Sequence, residues 1–117
     1  MLAAYGDPIL HLGPLGAGQR TKLLNNLLFA VNTRLADDVA VLAERLGLDP
    51  ATTIAAITRS SGSSYALSAV AEFGSPAAAF DRVREFLGKD VGVVRGLAAE
   101  LGVDLGRLGE IADWWLS

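Results

Sequence analysis

Residues 19–46 read QRTKLLNNLLFAVNTRLADDVAVLAERL, a run with neither proline nor glycine. Within it Leu24, Leu27, Leu28, Val31, Leu35, Leu42 and Leu46 recur at intervals of three, four or seven. That spacing lays them along one stripe of an α-helix. Gly47 follows where a left-handed helix stop belongs. A helix of this length is about 42 Å long. A compact domain of this size has a radius of gyration of about 13 Å and a diameter of about 35 Å. The helix is therefore expected to overhang its own domain, which points to a surface for another chain or domain.

Downstream, the helical grammar repeats. Asp49-Pro50 is an N-cap followed by proline at the first helical position, and the helix carries Ile54 and Ile57 to a stop near Ser60-Ser61-Gly62. Ser63 or Ser64 opens a short helix through Tyr65, Leu67, Val70 and Phe73. Ser75-Pro76 opens the next, through Phe80, Val83, Phe86 and Leu87. Lys89-Asp90 is read as the start of a further helix with Val91, Val94, Leu97 and Leu101, closed by Gly102. A last helix covers roughly residues 105–116. Upstream, Ile9–Leu12 is a brief strand or an extended lead-in, and Gly13-Pro14-Leu15-Gly16-Ala17-Gly18 is a glycine-rich turn. The fold class expected is all-α: a single helical domain of five or six helices with one long N-terminal helix.

Two repetitions stand out. Residues 42–49 (LAERLGLD) echo residues 97–104 (LAAELGVD). Either any helix–turn–helix joint converges on this pattern, or the chain holds a duplication. Gly88, Gly92 and Gly96 fall four apart, each costing about 1 kcal/mol in a helix against alanine. Close approach of another helix or of a ligand would offset that cost.

Composition narrows the class of function. The 117 residues are 51% hydrophobic and 20% charged, with formal net charge −3 and no cysteine. A disordered tail is excluded. The acidic balance argues against nucleic acid. Without cysteine, and with His11 alone, neither a disulfide framework nor a metal site is expected. The longest apolar stretch, interrupted by Asn25 and Asn26, is too short to span a membrane, and no signal peptide is evident, so a cytoplasmic location is expected. Alanine and leucine together make up about a third of the chain. This apolar excess reflects either a surface that faces a partner or an ordinary alanine-rich helical protein.

Candidate chemistry concentrates at the start of the long helix. Gly13–Gly18 is not a phosphate loop, because Gln19-Arg20 stand where Lys and Ser/Thr are required. Nor is it a dinucleotide fingerprint, whose glycine order and strand–helix setting are missing. Lys22, Asn25, Asn26, Phe29 and Thr33 project from one helix face, read as opposite the leucine stripe. Asparagine is a poor helix former, so Asn25, Asn26 and Asn32 mark either a functional site or a tolerated solvated face. Lys22 is suited to exchange a proton if its charge is disfavoured, and Asn26, one turn on, to orient a hydroxyl or carboxylate.

Gly13-Pro14-Leu15-Gly16-Ala17-Gly18-Gln19-Arg20-Thr21-Lys22-Leu23-Leu24-Asn25-Asn26 resembles the signature that opens the C-terminal helical domain of the β-hydroxyacid dehydrogenases, the family of 3-hydroxyisobutyrate dehydrogenase. Leu46-Gly47-Leu48-Asp49-Pro50, Ser60-Ser61-Gly62 and Lys89-Asp90 continue the resemblance in order. It implies that Lys22 is the catalytic acid/base on the substrate oxygen and that Asn26 orients the substrate. Lys89 and Asp90 would lie near cofactor and substrate, Lys89 on the cofactor and Asp90 on the substrate, and Phe80 would be a substrate-side aromatic. It further implies that residues 1–117 are a C-terminal substrate and dimerisation domain, with the family's N-terminal Rossmann domain not included. The parent enzyme would use NAD or NADP on a small β-hydroxy acid and form a homodimer or higher homo-oligomer. The 117 residues alone would bind no cofactor and be inactive. The alternative is a stand-alone helical oligomerisation or protein-interaction module without enzymatic activity.

Overall fold

The computed structural model describes residues 17–73 and 76–116. The expected strand at Ile9–Leu12, His11 and most of the glycine-rich turn lie outside the described residues. Five α-helices form the fold: α1 (Ala17–Arg45), α2 (Pro50–Ile57), α3 (Tyr65–Glu72), α4 (Pro76–Leu101) and α5 (Gly106–Ala112), followed by a 3-10 turn, Asp113–Leu116. No strand occurs among the described residues. The helix ends obey local chemistry. Gly47 has φ +79°, and the Leu48 amide donates to the Ala43 carbonyl at 2.9 Å, closing α1 with a Schellman turn. Gly102, at φ +65°, and the Val103 amide on Ala98 repeat this at the end of α4. The echo in the sequence is thus at least a shared joint. The two joints diverge at their aspartates. Asp49 caps α2 by accepting from the Thr52 amide (2.9 Å) and hydroxyl (2.7 Å), whereas Asp104 accepts from the amide of Gly106 (2.8 Å) in a tight turn.

α1 packs against α2, α3, α4 and α5. Its buried residues are Leu27, Ala30, Val31, Thr33, Ala36, Ala40 and Ala43. Of the leucine stripe only Leu27 and Val31 enter the core, while Leu24, Leu28, Leu35, Leu42 and Leu46 are exposed. Thr33, expected on the open polar face, is buried, and its hydroxyl donates to the Phe29 carbonyl at 2.8 Å. The hydrogen bond back along the helix satisfies the hydroxyl without a partner from another element.

α4 is one helix, not two. The sequence signals at Lys89-Asp90 do not restart it, because tertiary packing holds the backbone helical across Gly88. A Cβ on Gly88 would sit 2.9 Å from the Trp115 carbonyl oxygen, so glycine admits the C-terminal turn against α4. Gly92 and Gly96 meet nothing within 4 Å among the described residues, so no other described helix makes the close approach expected there. Trp115 ties the C-terminal turn to α1 and α4. Its indole N–H donates to the Ala30 carbonyl at 2.8 Å in the core, and its ring packs on Phe80 with centroids 6.4 Å apart. With α1 and α4 both unbroken, the described residues measure 48 × 33 × 23 Å with a radius of gyration of 15.4 Å. The long helix therefore defines an elongated body rather than overhanging a sphere.

Candidate functional site

The N-terminal half of α1, the start of α3 and the middle of α4 surround an open cleft of about 500 Å³. Asn25, Asn26, Leu28, Phe29 and Asn32 reach it from successive turns of α1. Tyr65 and Ala66 enter from α3, whose first turn is fixed by Ser64 accepting from the Leu67 amide at 3.0 Å. Phe86 and Asp90 come from α4. They are four residues apart, so an unbroken helix places them one above the other. The Phe29 and Tyr65 rings are tilted by 40° with centroids 6.0 Å apart.

Of the residues expected to carry chemistry, Asn26 and Asp90 are brought together on the cleft wall, each partly buried. Lys22 does not line the cleft; it stands one helical turn before Asn26, exposed. Lys89 is likewise exposed, adjacent in sequence to Asp90 and outside the lining. Lys22, Asn26, Lys89 and Asp90 make no hydrogen bond or ion pair among the described residues. Their donors and acceptors are available to a ligand rather than consumed by the fold. Phe80 is buried in the core against Trp115 and does not face the cleft. It is committed to packing because its turn of α4 faces the C-terminal turn. Through Leu28 the polar face and the exposed leucines adjoin, rather than standing on opposite sides of α1.

Sequence reasoning missed Tyr65 and Phe86 as cleft residues. The signal for Phe86 was its spacing of four from Asp90, which the expected helix start at Lys89-Asp90 concealed. For Tyr65 the signal was its place directly after the Ser64 cap, although the facing helix is set only by packing. Elsewhere, Arg95 and Asp113 form a paired bridge of 2.8 and 2.7 Å that pins the C-terminal turn to α4. Buried Gly109 makes room for it, since a Cβ there would lie 2.8 Å from an Arg95 nitrogen.

Among the described residues no helix is long and apolar enough to cross a membrane. The chain spans about a quarter of the length of the curated relatives it matches. It is 40% identical over 72 residues to 2-(hydroxymethyl)glutarate dehydrogenase of Eubacterium barkeri, covering 62% of this chain and 24% of that protein. It is 36% identical over 67 residues to the 3-hydroxyisobutyrate dehydrogenase of Pseudomonas aeruginosa, covering 57% and 22%. Against the mitochondrial 3-hydroxyisobutyrate dehydrogenase of Bos taurus it is 36% identical over 62 residues, covering 53% and 18%. No solved structure matches it significantly. Residues 16–116 match the family model described as the NAD-binding domain of NADP-dependent 3-hydroxyisobutyrate dehydrogenase, and the chain belongs to that β-hydroxyacid dehydrogenase family.

Proposed function

We propose that this chain is the C-terminal helical domain of an NAD(P)-dependent oxidoreductase acting on a small β-hydroxy acid, and that it supplies the catalytic lysine and an oligomer interface. The observation that carries this reading is the convergence of Asn26 and Asp90, 64 residues apart in sequence, on one cleft with Lys22 a turn away and unpartnered. Lys22 takes the proton from the substrate hydroxyl during oxidation and returns it during reduction. It lies in the second turn of α1, beyond the reach of most of the helix dipole. A second wall closing over the cleft would exclude water around its amine and the reacting oxygen. Asn26 offers an amide donor and acceptor to hold the reacting oxygen in line with that amine. Asp90 faces the substrate from α4, across the cleft from Asn26.

The residues present suit one side of a nicotinamide dinucleotide. Lys89 presents a free ammonium beside Asp90, able to meet a phosphate or carboxamide oxygen. When bound, NAD(P) carries the hydride. The second wall would come from a Rossmann domain, and the exposed leucines of α1 would be covered by that domain or by a second subunit.

In the full-length enzyme, Lys22→Ala should lower turnover by a factor of hundreds or more, the scale of a general acid/base group. Folding should be unchanged, since the side chain is exposed. Turnover like that of the wild type in this variant removes the catalytic assignment. Calorimetry of the 117-residue chain with NADPH should show no tight binding.

A further inference from the structure

We infer that the cleft selects monocarboxylic β-hydroxy acids bearing a bulky apolar substituent, an aryl group above all, and disfavours acids with a second carboxylate. This rests on the cleft being the substrate site. Phe29, Tyr65 and Phe86 come from three helices and meet around one opening. Tyr65 is 59% exposed and Phe86 47%. Tyr65 and Phe86 are not part of the chain's own core, which is built from other residues such as Leu27, Ile54, Leu87 and Trp115, while Phe29 packs against that core and also lines the cleft. Aromatic rings prefer tilted or offset neighbours at centroid distances of about 4.5–7 Å. The Phe29–Tyr65 pair already has that geometry, with Phe86 on the third side. A ligand ring entering here gains aromatic contacts that a methyl group cannot make.

Charge works in the same direction. Among the described lining residues Asp90 is the one acidic side chain, and no lysine or arginine lines the cleft. The remaining polar groups, Asn25, Asn26 and Asn32, are neutral amides. The substrate's one carboxylate is left to the second wall, and a second carboxylate standing in place of the apolar substituent would meet Asp90 with no counter-charge among the described residues, while Lys22 is engaged at the reacting oxygen. Like charges in a partly desolvated cleft repel more strongly than in water.

The test titrates the 117-residue chain, followed by NMR, with 3-hydroxy-3-phenylpropanoate and with 3-hydroxyglutarate. The phenyl acid should shift the ring resonances of Phe29, Tyr65 and Phe86, with a Kd at least about tenfold below that of the dicarboxylate. Phe86→Ala and Tyr65→Ala, at exposed positions, should each weaken the phenyl acid by several-fold to about tenfold while the spectrum stays folded. Asp90→Asn should tighten 3-hydroxyglutarate. Absence of ring shifts with the phenyl acid overturns the proposal. Equal or tighter binding of 3-hydroxyglutarate, with shifts at Asn26, also overturns it, yet leaves the substrate-site reading standing. Loss of that reading has its own signature, undiminished turnover of Lys22→Ala in the full-length enzyme.

Discussion

Leu35 and Ala36 are neighbours on α1, and the fold treats them in opposite ways: the leucine is 40% exposed and the alanine 2%. The contrast runs along the helix. Ala30, Ala36, Ala40 and Ala43 face inward, and Leu24, Leu28, Leu35, Leu42 and Leu46 face outward. Hydrophobicity alone would reverse the assignment. Interhelical distance depends on the side chains at the contact, and alanines let α1 lie close to the helices that surround it. The displaced leucines form a second apolar face that the other described residues leave exposed. The inner face is therefore a folding surface, and the outer one contributes little to this core.

The sharpest test of that division is Ala36→Leu. Adding bulk on the close-packed side should cost about 1–3 kcal/mol, read as a lower denaturation midpoint; a neutral result would mean the inner face has slack. A smaller effect is expected at the glycines of α4. Gly92→Ala, with open space around it, should stabilise by up to about 1 kcal/mol through helix propensity. Gly88→Ala should lose stability instead, because the new methyl meets the Trp115 carbonyl. If both alanines stabilise, the C-terminal turn is not held against α4. Leu42→Ala on the outer face should change stability by no more than about 0.5 kcal/mol, while self-association measured by sedimentation falls. A large loss of stability would place that leucine in the chain's own core. The last prediction uses acid, which should spare both faces of α1. The Asp49 carboxyl is held below its ordinary range by the hydroxyl and amide of Thr52. Its contribution is present above the ordinary aspartate pKa and is lost as pH falls through the depressed folded value. Hydrogen exchange should then quicken first at the N-terminus of α2, with α1 still protected.

Much of this was legible before the fold was seen. The length of α1, its stop at Gly47, the Asp49-Pro50 and Ser64 starts and the Gly102 stop follow from backbone sterics and local hydrogen bonding, which act within a few residues. Asn25, Asn26 and Asn32 stood out because asparagine is a local cost in a helix. Three other features resisted reading. Lys89-Asp90 appeared as a helix start because the contact that compensates Gly88 inside a continuous α4, Trp115, lies 27 residues further along the chain. Phe80 resembled a site residue and proved to be core. The leucine stripe looked like one surface and was divided between the core and the outside.

The sequence by itself determined where helices begin and end, that α1 is long and amphipathic, and which family signature it carries, because caps, glycine stops and periodicity are local. Only the tertiary structure decided which stripe of α1 is buried, that α4 continues through Gly88, and that Phe29, Tyr65, Phe86 and Asp90 share a cleft. Those outcomes depend on how closely separate helices approach, and that distance is set by the summed packing of residues far apart in the chain.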